Sequence, residues 1–115
     1  MKIKLNKSPR EFTVKGATIK DQGKIFLEDL ELVSFVTKDG RECDFSAENW
    51  GFYIGPSLNG RLKHEGFKTA LILNTDRRLF IHAVAIDKLE EHKQYIKSQE
   101  STFICWLDEW GEPAY

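Results

Sequence analysis

The sequence predicts an α+β fold, a mostly antiparallel sheet with two helices, on three observations. Short β-type runs separated by turn residues recur along its 115 residues. Two of them, 67–74 and 79–86, are apolar on both parities and are joined by the turn Thr75-Asp76-Arg77-Arg78. Helix start and stop signals occur at only two places, around 57–66 and 87–98.

Residues 11–20 read as a strand whose apolar face switches parity, from Phe12 and Val14 to Ala17 and Ile19, with Gly16 at the switch as a bulge or bend. Residues 24–27 and 32–37 form β-type runs interrupted by the acidic Glu28-Asp29-Leu30-Glu31. Asp39-Gly40 between two such runs predicts a hairpin. Residues 46–56 read as an irregular aromatic segment. A short helix follows, capped by Ser57, with Leu58 and Leu62 on one face and Gly66 as its stop. The runs 67–74 and 79–86 are expected as central strands covered on two faces. Asp87 opens the second helix, Glu90 completes a capping box, and Leu89, His92 and Ile96 share a face. Residues 102–107 form a last strand. From residue 32 the elements spell a ferredoxin-like βαββαβ order, preceded by a β-rich N-terminal extension, within a single domain of residues 1–115.

Formal net charge is only -1, so no global field points to nucleic acid. Nucleic acid is not expected as a partner for a second reason: the run 79–86 lacks the basic residue that an RNA-binding sheet places on that strand. Residues 1–24 carry seven Lys/Arg against two Asp/Glu, and residues 25–55 carry two against seven, so the basic arm is expected beside the acidic block. The longest apolar run is five residues, Phe103 to Leu107, against the roughly 20 needed to cross a bilayer, so no membrane span is expected. Two cysteines make a sparse disulfide framework, and the basic N-terminus lacks a secretory apolar stretch. Reduced thiols and a cytoplasmic location are expected.

One stretch carries residue choices that are awkward for structure alone. In Gly55-Pro56-Ser57-Leu58-Asn59-Gly60-Arg61, Gly60 costs roughly 1 kcal/mol against Ala inside a helix. As an anion site, Gly55 and Gly60 let a ligand approach the backbone, Ser57 and Asn59 supply donors, and Arg61 grips a phosphate or carboxylate. Lys68 and the pair Arg77-Arg78 extend that basic surface. In the structural reading Ser57 caps, Gly60 makes room for a neighbour, and Arg61 is solvated. Trp50, Phe52 and Tyr53 are either core or the lining of an aromatic pocket beside the anion site. His64, His82, His92, Cys43 and Cys105 show no close ligand spacing, so no metal or cofactor is expected, and His82 reads as a hydrogen-bonded core residue. Asp108 and Glu109 read as neighbours that diverge at a strand end, and no catalytic residue is assigned. Trp110 and Tyr115, in the acidic C-terminal stretch, either pack back or face a partner.

The segments Trp50-Gly51-Phe52-Tyr53, Pro56-Ser57-Leu58-Asn59-Gly60-Arg61-Leu62 and Gly66-Phe67-Lys68-Thr69-Ala70 resemble a family of small uncharacterised bacterial proteins with no established activity. The resemblance covers about the middle quarter of the chain and implies a bacterial origin and no mechanism. The sequence therefore points to a non-catalytic interaction domain, self-associating through a sheet edge or the aromatic face. The alternative is a small-molecule binder or enzyme acting on an anionic ligand at Ser57 to Arg61.

Overall fold

In the computed structural model, which describes residues 1–14 and 16–110, the chain forms eight strands and two α-helices. These confirm the α+β class. Strands β1 (Lys2–Val14) and β2 (Ala17–Phe26) pair antiparallel. Val14 lies opposite Ala17 and Phe12 opposite Ile19, with Gly16 at φ +88° in the reversal. The parity switch read as a bulge is the signature of this tight hairpin, because cross-strand partners there combine one even and one odd position. The ladder is broken elsewhere, where residues 6–9, including Pro9, face Gln22 alone. Asp21 organises that break: its carboxylate takes Arg10 at 3.0 Å and the Gly23 amide at 3.1 Å, and its carbonyl accepts from Asn6 at 2.8 Å.

Strands β3 (Leu32–Val36), β4 (Glu42–Glu48) and β5 (Gly51–Ile54) form a second sheet in that order. The Asp39-Gly40 turn closes with the Thr37 amide donating to the Arg41 carbonyl at 2.9 Å. The segment expected to be irregular is a hairpin, β4 pairing with β5 from Phe45–Ile54 to Glu48–Gly51. Two compact units result: Met1–Val33 with Phe45–Ile54, and Ser34–Asp44 with the chain from Gly55 on. The acidic block of residues 25–55 is neutralised only in part by the N-terminal segment, through Met1 and Glu31 at 2.9 Å. Its Asp39, Glu42 and Asp44 instead hold Arg41 and Arg61.

In the second unit, α1 (Arg61–His64) is a single turn with Leu62 buried. Then come β6 (Phe67–Leu73), β7 (Leu79–Ala85), α2 (Leu89–Ser98) and β8 (Thr102–Trp106). β6 is central, antiparallel to β7 on one side and β8 on the other. This is not the ferredoxin-like order, in which the strand before the first helix lies inside the sheet; here that strand belongs to the second sheet. α2 covers one face through Ile96, which packs with Ala70, Ile72 and Val84 against Trp106. Asp87 does not cap α2; a 3₁₀ turn at Ile86–Lys88 intervenes and the carboxylate pairs with Arg41 at 2.6 Å. β6 is buried on both faces as expected, whereas β7 is an edge strand among the described residues, with Leu79, Phe80 and Ile81 exposed.

Candidate functional site

The Ser57–Arg61 turn is drawn together by its own groups. Ser57, at φ +46°, accepts the Arg61 amide on its hydroxyl at 2.9 Å and the Gly60 amide on its carbonyl at 3.0 Å. The Gly55 amide goes to the Asp44 carbonyl at 3.1 Å. Three N–H groups that an anion would use are therefore engaged. The glycines have a packing reason: a Cβ on Gly60 would meet the Ser57 hydroxyl at 2.9 Å, and one on Gly55 would meet a Leu62 methyl at 2.8 Å. Asn59 is exposed beside them. The Ser57 side chain thus supports the helix start, but from four residues before Arg61, and the helix begins later than its spacing suggests.

Arg61 is surrounded by acids. Its guanidinium lies 2.9 Å from Asp44, 3.3 Å from Glu65 and 3.7 Å from Glu42. The bond from Arg61, with one from the Ser34 hydroxyl at 2.6 Å, holds the Asp44 carboxyl below its ordinary range, and Asp44 in turn raises Arg61. A guanidinium with three carboxylates around it is an internal tie and a poor anion grip.

Lys68 is tied in the same way. Its ammonium sits 3.0 Å from Asp108, 2.9 Å from Glu109 and 4.9 Å over the Trp106 ring. The 3₁₀ turn Leu107–Glu109 brings the two acids to one cation, where the sequence suggested that they diverge. Glu109 foremost raises the Lys68 pKa. Burial pushes Asp108 up, but the Thr69 amide at 3.0 Å and Lys68 more than reverse it, leaving its carboxyl lowered. Arg77 and Arg78 lie in the turn at the far end of β6 from Lys68 and do not extend its surface.

The aromatic candidates are neither core nor buried lining. Trp50, Phe52 and Tyr53 are 67%, 61% and 45% exposed, with Trp50 and Tyr53 tilted at 6.4 Å. They belong to the first unit, while Gly55 to Arg61 belong to the second. Trp110 is also exposed, and Tyr115 lies outside the described residues.

Sequence reasoning gave His82 a hydrogen bond but not its partner, and it missed a second feature altogether. His82 in β7 and His92 in α2 share a hydrogen bond of 2.9 Å between Nδ1 and Nε2. Burial pushes both imidazoles below their ordinary pKa, and His82 lowers His92 further. His92 also borders a cleft of about 350 Å³ between α2 and β8, lined by Leu89, Ile96, Phe103 and Trp106. Helical spacing grouped His92 with Leu89 and Ile96, but the partner across the sheet is ten residues away and invisible to periodicity. The second feature is exposed apolar surface on strands. Ile3, Leu5, Phe12, Val14, Ile19 and Ile25 of the first hairpin are all 42% exposed or more.

Among the described residues, no group of three or more His, Cys, Asp or Glu side chains could hold a metal ion, and no helix is long and apolar enough to cross a membrane. Cys43 and Cys105 are free thiols, and burial pushes Cys43 up. Comparisons with protein-family models, curated proteins and solved structures find no match for this chain.

Proposed function

We propose that this protein is a self-associating interaction module with no reaction of its own. One observation carries the reading. The chain exposes 9046 Å², whereas a folded monomer of 13.3 kDa exposes about 6,500 Å². Scaling the two units as separate bodies raises the expectation only to about 7,700 Å². The remaining excess is larger than the roughly 800 Å² that each partner gives up in a stable interface. The exposed surface includes large apolar side chains on the strands, of the kind that mark protein contacts. Free Cys43 and Cys105 support a reducing compartment, and with the resemblance of the central segments they favour a bacterial cytoplasm.

Sedimentation across protein concentration tests the reading. A dimer or larger species is expected, with a melting temperature that climbs as protein concentration rises. A monomer of 13.3 kDa persisting to about 500 μM would overturn it. The anion alternative has no free cation to support it at Arg61 or Lys68, and phosphate or citrate is expected to leave the melting temperature unchanged.

A further inference from the structure

Among the described residues, β7 is an edge strand without edge protection. Its seven residues, Leu79-Phe80-Ile81-His82-Ala83-Val84-Ala85, include no Lys, Arg, Asp, Glu or Pro. Its pairing with β6 runs unbroken from Leu73–Leu79 to Phe67–Ala85, so no bulge twists the edge away. The opposite edge of the same sheet differs, because the register of β8 shifts at Ile104, between its Cys105 and Phe103 pairs. Natural sheets seldom leave a regular, uncharged, apolar edge open to water.

The hydrogen bonds that flank β7 fix which of its groups are unpaired. The Asn74 amide donates to the Arg78 carbonyl at 3.0 Å, and the Ile86 amide donates to the Gly66 carbonyl at 2.9 Å. Antiparallel alternation then turns the even-numbered residues of β7 toward β6. The odd-numbered residues, Leu79, Ile81, Ala83 and Ala85, aim their N–H and C=O groups away from β6, with the turn at Thr37, Lys38 and Asp39 bordering the Ala85 end. Leu79 and Ile81 are also 60% and 62% exposed.

We propose that β7 pairs antiparallel with β7 of a second copy of this chain, about a twofold axis at His82, making one six-stranded sheet. This rests on the reading that the chain self-associates, and it names the surface. The strand suits itself in three ways. Pairing about His82 sets odd positions against odd, so the open donors of one copy meet the open acceptors of the other. At the odd positions it places Ile81 against Ala83 and Leu79 against Ala85, large against small; at the even positions Phe80 meets Val84 and His82 meets its own copy. Beyond the strand ends it brings Asp76 toward Lys88 of the second copy, and Arg77 toward an Asp87 that also holds Arg41, opposite charges in both cases. An isologous contact requires this kind of self-complementarity.

The test uses the full chain in three forms: unaltered, Ile81→Lys, and Gln94→Lys at an exposed position of α2 as comparator. Self-pairing through β7 predicts that Ile81→Lys weakens dimerisation about 100-fold, from the cost of burying a charge in the ladder, while Gln94→Lys leaves it unchanged. In the unaltered protein, the Ile81 and Ala83 amides are expected to exchange slowly when dimeric and fast on dilution. This readout needs no variant to fold. A dimer that Ile81→Lys leaves intact, or fast exchange at Ile81 and Ala83 within the dimer, would overturn the β7 pairing while self-association stands. A monomer at every concentration would overturn both.

Discussion

Asp108 has no exposed side-chain surface and holds two groups at once, the Thr69 amide and the Lys68 ammonium, each at 3.0 Å. Removing it strands a buried N–H and takes one of two carboxylates from Lys68, which keeps Glu109, so Asp108→Ala is expected to cost about 2 kcal/mol, checked by urea unfolding. Asp108→Asn keeps an acceptor for Thr69 and should cost less. The His82–His92 pair gives a pH dependence. Both imidazoles have folded-state pKa values below the ordinary 6.5, so the unfolded chain binds more protons in this range. Their contribution is present above 6.5 and is lost as pH falls through the lower folded-state values. Melting temperature should therefore drop between about pH 7 and pH 5, and His92→Gln should flatten that slope. Neither arrangement was legible in the sequence. Lys68 looked free because its acids lie about forty positions downstream, and Arg61 looked free because Asp44 and Glu42 reach it across a turn.

Strand β2 depends on Gly23, where a side chain would overlap the Lys4 carbonyl oxygen and φ is +141°. Gly23→Ala should open the pairing of Lys4 and Leu5, seen as faster amide exchange in β1 and β2 and a loss of about 2 kcal/mol. Elements with strong local signals were legible: β6, β7 and α2 lie within a residue or two of the ranges their patterns suggest, because Asn74 and Arg78 close a tight turn and helical periodicity spans 89–96. The β4–β5 hairpin was not legible, since Phe52, Tyr53 and Ile54 put apolar residues on both parities of a strand that stays exposed. Helix α1 shrank to one turn because Ser57 adopts a left-handed conformation and the chain turns before it coils. Asp87 had every local mark of a cap, but Arg41 offers its carboxylate a charged partner, and charge-assisted bonds outweigh an exposed cap.

At the scale of the whole chain, the α+β class was legible because it depends on the kinds of element present, and those follow local pattern. Strand order was not, because it depends on which distant segments meet; nothing near β6 in sequence says that β8 lies beside it. Dual-parity hydrophobicity was read as a strand covered on two faces and flanked by neighbours. β6 meets that description within one chain, and β7 would gain its second flanking neighbour only within a pair of chains. The bare margin of β7 also has a bearing on the protein's fate in a crowded cell. Seven uncharged residues rich in strand formers are the sort of template on which fibres grow, and a ladder that is already filled offers none. Meeting its twin would then act as a safeguard against amyloid-like growth, and newly made chains would be most vulnerable in the interval before the first encounter.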